Sequence, residues 1–291
     1  MEALVYSARR KESAVVLGLD PDPLHLPPGI EERVRECGLP EAAAVREFCL
    51  GVLEAVEPEA AAVKLQSAYF ERLGPEGMEV YAALIQAASD LGLPTIADVK
   101  RGDIGPVAAA YAEAYLSAYG ATSVTVNPYM GADAVGPFLE EARRLDRGGG
   151  AFVLVATSNP SATQFQGSSV PPLYEAAAGL VADLGETGSS GYLDAGAVVG
   201  ATRPEVGRRV RELLPNALFL APGYGAQKGD ASGVRTLLDA GGAGVLVNSS
   251  RDILRAFESL EPASSGGDYR SAARDAARRM REDLTTAGVR P

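Results

Sequence analysis

Two carboxylates flank one ammonium within six residues in the stretch 95–105, TIADVKRGDIG. Asp98 and Lys100 are two residues apart, so on a strand their side chains would leave the same face. Asp103 lies beyond an Arg-Gly pair, where the chain must turn, and helix-forming sequence follows at once. Such a set can hold an ammonium at a reacting atom and use it as a general acid. The alternative is a surface ion pair followed by a helix N-cap at Asp103.

Composition limits the classes of partner. The formal net charge of −11 disfavours sequence-independent binding to nucleic acid or to a membrane surface, although local Lys and Arg still permit a small anionic ligand. Cys37, Cys49 and the single His25 provide neither a disulfide framework nor a zinc site, so we expect no metal. No apolar stretch of about 20 residues and no apolar signal core occur. These features predict a cytoplasmic protein.

Eight short apolar runs, mostly β-branched and bounded by Gly, Pro or polar residues, predict strands. They lie at 14–19, 61–63, 95–97, 123–126, 151–155, 197–199, 218–221 and 244–247. Helical patterns fill the gaps, at 40–55, 76–91, 106–119, 133–144, 172–184, 203–214, 231–240 and 268–285. This alternation predicts a parallel (β/α)8 TIM barrel of the α/β class, with a doubly wound open sheet as the alternative. We expect one domain spanning residues 1–291, because no linker separates regions of different composition.

Polar side chains follow most of the predicted strands, at the end of a barrel where active sites form. They are Asp20, Lys64, Asp98 with Lys100, Asn127, Ser158, the loop 222–229, and Ser250 with Arg251. Burying unpaired charges is costly, so these groups must pair with one another or with a ligand. The arrangement favours a catalytic cluster over isolated surface pairs.

The last two loops indicate a phosphate site. The loop 222–229, PGYGAQKG, is Gly-rich and follows the seventh strand, and Asn-Ser-Ser-Arg at 248–251 follows the eighth. Barrels commonly bind phosphate at these two positions through backbone N–H groups and a guanidinium. The alternative is that the glycines only make tight turns.

The chain resembles the orotidine 5′-phosphate decarboxylase family, in the branch that carries KRGDIG. DVKRGDIG matches the Asp-x-Lys-x-x-Asp signature, and the resemblance covers nearly the whole chain. Further matching segments are LGLDPDP, VKLQSAYFE, VNPYMG, TSNPS, APGYGAQKGD and VNSSRDI. The resemblance implies cofactor-independent decarboxylation of orotidine 5′-phosphate to UMP and CO2 in de novo pyrimidine biosynthesis, by a homodimer.

The resemblance also implies a role for each matching residue. Lys100 would stabilise the carbanion at C6 and protonate it, Asp98 would lie beside the substrate carboxylate, and Lys64 would complete an alternating chain of charges. Asp103 would enter the site of the neighbouring subunit. The substrate-binding residues would be Asp20 at the ribose, Ser158 at the pyrimidine edge, and Gln227, Ser250 and Arg251 at the phosphate end.

One position departs from the family signature. A Thr is expected four residues after the second Asp, where this chain has Val107, so a ribose contact across the dimer is in question. Two other functions stay open, namely a sugar-phosphate synthase or aldolase on a similar barrel, and a non-catalytic nucleotide-binding protein. We expect His25 and the loop 21–29 to be structural.

Overall fold

Eight parallel strands pair in sequence order and close into a barrel, as found in a computed structural model that describes residues 1–224, 231–259 and 268–291. The strands are β1 (Val15–Leu19), β2 (Ala62–Gln66), β3 (Thr95–Arg101), β4 (Ser123–Val126), β5 (Gly150–Ala156), β6 (Ala195–Val199), β7 (Phe219–Ala221) and β8 (Val245–Ser249). Pairing of Val15 with Val247 joins the first strand to the last. The predicted (β/α)8 barrel is therefore confirmed, and the open sheet is excluded.

One helix precedes the first strand, and the other helices lie between the strands or follow the last one. They are α1 (Glu2–Lys11), α2 (Pro28–Cys37), α3 (Glu41–Val56), α4 (Ser67–Glu71), α5 (Gly74–Asp90), α6 (Gly105–Ala112), α7 (Ala132–Leu145), α8 (Thr163–Gln166), α9 (Leu173–Leu184), α10 (Pro204–Leu213), α11 (Ala231–Arg235), α12 (Arg251–Leu254) and α13 (Tyr269–Thr286). A π-helical segment, Glu113–Ala118, extends α6. No helix within the described residues has the length and apolar character needed to cross a bilayer.

Two apolar clusters hold the barrel together. The larger lies between the strands and the outer helices. The smaller fills the barrel interior at its amino-terminal end, where Leu4 and Val5 of α1 pack with inward strand residues such as Ile96, Phe152 and Leu246. Helix α1, which the sequence patterns did not reveal, therefore closes the end opposite the polar strand ends.

Several element boundaries differ from the sequence-based predictions, and three of these differences have a structural reason. Strands β2 and β3 continue past Lys64 and Asp98 instead of stopping before them, because these charged side chains pair with each other inside the barrel. The helix predicted at 231–240 ends at Arg235. Beyond it the Leu237 carbonyl accepts from the buried Arg211 guanidinium at 2.8 Å, and the Asp239 carboxylate accepts from the backbone N–H of Ala243. These contacts favour a turn over further helix.

Candidate active site

A cavity of about 440 Å³ opens at the carboxyl ends of the strands. Seven of the nine residues predicted for the site line it, namely Asp20, Lys64, Asp98, Lys100, Ser158, Ser250 and Arg251. Gln227 lies outside the described residues, and Asp103 is not among the described residues that line the cavity. The strand ends thus bring together charges that are up to 231 positions apart in the chain, from Asp20 to Arg251.

Four of these residues form an alternating chain of charges. The Lys64 ammonium lies 3.3 Å from Asp20 Oδ1 and 2.9 Å from Asp98 Oδ2, and Lys100 Nζ lies 2.5 Å from Asp98 Oδ1. Lys64 and Asp98 are buried, with 5% and 6% of their surfaces exposed. The Lys100 side chain is 42% exposed. Of the two lysines, Lys100 is therefore the one that a ligand in the cavity can meet, and Asp98 holds its ammonium in place.

The alternating charges keep the buried side chains of Lys64 and Asp98 ionised. Burial alone would raise the pKa of Asp98, but Lys64 and Lys100 outweigh it and hold that pKa well below its usual range. Burial would also lower the pKa of Lys64, and the attraction of Asp20 and Asp98 raises it instead. Since Asp98 is buried, the surface ion-pair interpretation is wrong.

Lys100 reaches Asp98 through an irregular backbone and not through strand alternation alone. Its φ of 47° is in the left-handed region, which a residue with a Cβ enters at a cost. The pairing of β3 with β4 shifts register between Ala97 and Arg101. The predicted proximity of Asp98 and Lys100 is correct, but a β-bulge contributes to it.

Gln66 and Thr125 contact the site although no sequence pattern singled them out, and Asn248 was noted only as part of the loop 248–251. Gln66 Nε2 donates to Asp98 Oδ2 at 3.1 Å, and Thr125 Oγ1 donates to Asp98 Oδ1 at 2.9 Å. Asn248 lines the cavity, and its buried Oδ1 has no hydrogen-bond partner among the described residues. In the sequence, each of these residues is visible only as a polar residue within or at the end of an apolar run.

The end of β8 approaches β1 closely on the expected phosphate side. Ser250 Oγ accepts from Asn248 Nδ2 at 3.3 Å, and Arg251 begins α12 with an exposed side chain. A Cβ on Gly18 would lie 1.9 Å from Ser250 Oγ, so only glycine fits there. Pro222, Gly223 and Tyr224 line the same cavity from the end of β7. The two loops expected to bind phosphate are thus neighbours in the part of the chain that the structure describes.

The segment after β5 places Ser158 on another wall of the cavity. The Ser158 carbonyl accepts from Thr202 Oγ1 at 3.4 Å, and the Thr157 carbonyl accepts from the Arg203 guanidinium at 3.0 Å. Gln166 Nε2 donates to Thr157 Oγ1 at 2.7 Å. These contacts hold the segment against the loop after β6.

The loop after β1 also lines the cavity, including His25. From the sequence we expected this loop to have only a structural role. His25 Nδ1 lies 3.0 Å from Glu258 Oε1, beyond α12. Asp22 pairs with Arg72 at 3.2 Å and with Arg255 at 3.6 Å. This loop is therefore linked to the segments that follow β2 and β8, and it forms part of the rim.

Asp103 is not among the described residues that line the cavity, and its carboxylate contacts the backbone of the next residue. Its Oδ1 accepts from the backbone N–H of Ile104 at 2.8 Å. The N-cap of α6 is Ile104, and no side chain caps this helix, so the alternative of an Asp103 N-cap is wrong.

Comparison with known proteins gives one consistent result. Residues 13–264 match the model of the orotidine 5′-phosphate decarboxylase / HUMPS family. The orotidine 5′-phosphate decarboxylase of Rhodopirellula baltica is 41% identical over 289 residues, covering 94% of this chain and 95% of the relative. That of Deinococcus radiodurans is 40% identical over 260 residues, covering 89% and 91%. The structure of Leishmania donovani OMP decarboxylase superposes with a TM-score of 0.74 at 32% identity, covering 98% of this chain and 97% of the other.

Proposed function

The chain belongs to the orotidine 5′-phosphate decarboxylase family, and from that premise we propose how its residues perform the reaction. It decarboxylates orotidine 5′-phosphate to UMP and CO2 in pyrimidine biosynthesis. We assign carbanion stabilisation and proton donation to Lys100. The contact between the partly exposed Lys100 ammonium and the buried Asp98 carboxylate supports this assignment most strongly.

The chemistry requires a positive charge at one carbon. When the bond from C6 to the carboxylate breaks, CO2 leaves and the electron pair stays on C6, where no adjacent carbonyl delocalises it. A preorganised ammonium beside C6 stabilises that charge as it develops. Lys100 then transfers a proton from Nζ to C6, which gives UMP, and the resulting neutral amine regains a proton from solvent.

Asp98 and Lys64 preorganise this ammonium. Asp98 accepts four hydrogen bonds, from Lys64, Gln66, Lys100 and Thr125, so its carboxylate has one fixed orientation. Lys64 pairs with both Asp98 and Asp20, so negative and positive charges alternate from Asp20 to Lys100. The buried Asp98 carboxylate is therefore paired, which offsets the cost of burying its charge. The substrate carboxylate would lie beside Asp98 and leave as CO2.

The remaining lining residues match the parts of a nucleotide. We assign Asp20 to the ribose, Ser158 to the pyrimidine edge, and Ser250 and Arg251 to the phosphate end, with Gln227 from outside the described residues. Ser158 and Arg251 follow β5 and β8, so a ligand that contacts both spans the cavity mouth. Binding energy from the phosphate can then contribute to the chemistry at C6.

The enzyme is proposed to act as a homodimer that shares its sites. Asp103 does not line its own cavity within the described residues, and it stands beside exposed apolar side chains. Ile104 and Val107 follow β3, Tyr129 and Met130 follow β4, and all four are exposed, Tyr129 by 73%. A second copy of the chain would cover this surface and receive Asp103 in its cavity.

The segments that carry these apolar residues run side by side. The backbone N–H of Asn127 donates to the Arg101 carbonyl at 2.7 Å, and a Cβ on Gly102 would lie 2.5 Å from the Asn127 carbonyl oxygen. The four exposed side chains therefore lie on neighbouring segments, and we propose that they form one surface. The cytoplasmic location predicted from the sequence stays a prediction.

Mixing two inactive variants tests the shared site. Homodimers of Lys100→Ala or of Asp103→Ala contain no intact site if Asp103 serves its partner. After dissociation and mixing, about half the dimers are mixed and each regains one intact site, so roughly one quarter of wild-type activity returns. Mixed dimers that are verified by native mass spectrometry but stay inactive would place Asp103 in its own subunit's site.

The reaction itself is measured by the loss of orotidine 5′-phosphate absorbance, with and without EDTA. Turnover that EDTA leaves unchanged is expected, since the proposed roles use only side chains of this chain. Loss of turnover with EDTA would favour a metal-dependent sugar-phosphate mechanism. Tight UMP binding without turnover would favour a non-catalytic nucleotide-binding protein.

A further inference from the structure

We infer that Thr125 is a positioning residue, whose hydroxyl fixes both the Asp98 carboxylate and the backbone that carries Lys100. This inference rests on the proposed roles of Asp98 and Lys100. Thr125 is buried within β4 and does not line the cavity in the described part of the chain, so it acts through these two residues and not on substrate.

The Thr125 hydroxyl makes three hydrogen bonds, all to β3. It accepts from the backbone N–H of Val99 at 3.0 Å and from that of Lys100 at 3.0 Å. It donates to Asp98 Oδ1 at 2.9 Å. A hydroxyl has one donor hydrogen and two acceptor lone pairs, so these contacts use its full capacity. Because both lone pairs receive N–H groups, the hydroxyl hydrogen is directed at Asp98.

The register of the strands explains why a side chain performs this task. Ala97 pairs with Val124, and Arg101 pairs with Val126. Three residues of β3, from Asp98 to Lys100, therefore stand opposite Thr125 alone. In a regular parallel ladder, backbone carbonyls would receive the N–H groups of such residues. Here the Thr125 hydroxyl receives two of them, which supports the bulge from the neighbouring strand.

The bulge matters because it sets the direction of the Lys100 side chain. Lys100 has its φ of 47° at this point, a conformation that persists only where surrounding contacts determine it. The hydrogen bond from Lys100 N–H to Thr125 is one such contact, and the ion pair of Lys100 Nζ with Asp98 is another. Thr125 is therefore connected to both ends of the lysine, through its backbone and through Asp98.

Thr122 provides a matched control on the same pair of strands. Its Oγ1 also accepts a β3 backbone N–H, that of Thr95, at 3.1 Å. Thr122 stands just before β4, at the amino-terminal end of the barrel, and it is not among the described residues that line the cavity. Thr122→Val thus makes the same chemical change in the same pair of strands, away from the proposed site.

The experiment compares kcat for orotidine 5′-phosphate with the dissociation constant for UMP in four variants. Thr125→Val is expected to lower kcat by about 10- to 100-fold while UMP affinity stays within about threefold, because a misplaced Lys100 affects the transition state more than binding. Thr125→Ser, which keeps the hydroxyl, should stay within about threefold of wild-type kcat. Thr122→Val should leave both quantities unchanged, and Lys100→Ala should have no turnover.

Each other outcome would overturn the inference. Retention of kcat in Thr125→Val beside an inactive Lys100→Ala would show that Thr125 does not position the lysine. An equal loss in Thr125→Ser would assign the effect to the methyl group, and a parallel loss of UMP affinity would indicate general damage to the cavity. If Thr125→Val does not fold, Thr125→Ala is measured with the same expectation. Turnover in Lys100→Ala would instead reject the proposed role of Lys100, on which this inference rests.

Discussion

The buried ion pair between Lys64 and Asp98 should be strongly coupled in folding stability. The perturbation is a double-mutant cycle made from Lys64→Met, Asp98→Asn and the double variant. Each single change leaves one buried charge with fewer partners, whereas the double change removes both charges together. The free energy of unfolding of the double variant should therefore fall by less than the sum of the losses in the two single variants.

The geometry sets the expected magnitude. At an effective dielectric constant of about 20, two unit charges 2.9 Å apart attract by about 6 kcal/mol. Desolvation of the two ions offsets much of this, and breaking a buried pair from one side costs about 3–5 kcal/mol. Asp20 and Lys100 remain as partial partners, so we expect about 3 kcal/mol for each single variant. The double variant should lose about 4 kcal/mol, which leaves a coupling energy of about 2 kcal/mol.

An exposed ion pair of nearly the same length serves as the control. Arg278 lies 2.8 Å from Asp275 on α13, and the two side chains are 48% and 47% exposed. A cycle of Arg278→Met and Asp275→Asn should give a coupling below about 1 kcal/mol. Both cycles are measured by urea unfolding at one fixed protein concentration. Equal coupling in the two cycles would refute the claim that burial makes the Lys64–Asp98 pair strong.

Three further predictions concern pH, phosphate and Val107. The pKa of Asp98 is lower in the folded state, so the ionised carboxylate contributes its full stabilisation above the unfolded-state pKa of about 3.9. The pKa of Lys64 is raised in the folded state, so the ammonium contributes its full stabilisation below the unfolded-state pKa of about 10.4. Because Asp98 and Lys64 keep their charges throughout this range, the chain of charges should not limit kcat, which is expected to be flat between about pH 5 and 9. The value of kcat/KM should fall below about pH 6 as the substrate phosphate is protonated, and a step in kcat near pH 7 would contradict this. Arg251→Ala should lower kcat/KM by a factor equivalent to about 2–4 kcal/mol on orotidine 5′-phosphate and by far less on orotidine, and equal losses on both would make Arg251 structural. Val107→Thr should be tolerated and bind substrate equally or slightly better, because the added hydroxyl can meet a ribose hydroxyl that has no partner there. Val107 is exposed on α6 in the single chain, so a large loss in kcat/KM would mean that it packs against apolar neighbours in the active enzyme.

The barrel was predictable because each predicted strand begins as an uninterrupted run of mostly apolar residues. Buried parallel strands need continuous apolar sequence, and this signal is local. Helix α1 was missed because its apolar face, with Leu4 and Val5, is short and lies beside many charged residues. Its function of closing the barrel depends on inward residues from several strands, which no local pattern reveals.

The charged residues of the candidate site could be predicted from the sequence, whereas the neutral residues that hydrogen-bond to them could not. Asp98 and Lys100 stand out because they interrupt an apolar run, and a charge buried without a partner is costly. Thr125 and Gln66 are neutral residues in otherwise apolar strands, and their contacts with Asp98 depend on the register between strands. The left-handed backbone at Lys100 depends on the same pairing, so sequence periodicity could not predict it.

The central claim is that Lys100 acts in the transition state and not in ground-state binding. Single-turnover decarboxylation and UMP affinity are to be measured in Lys100→Ala, with Lys11→Ala as the control. Lys11 lies on α1, where its ammonium pairs with Glu57, and it is not among the described residues that line the cavity. Lys100→Ala should lose all detectable turnover while its fold and UMP affinity stay near wild type, and Lys11→Ala should keep its kcat. A well-folded Lys100→Ala enzyme that still decarboxylates orotidine 5′-phosphate near the wild-type rate would contradict the proposed mechanism.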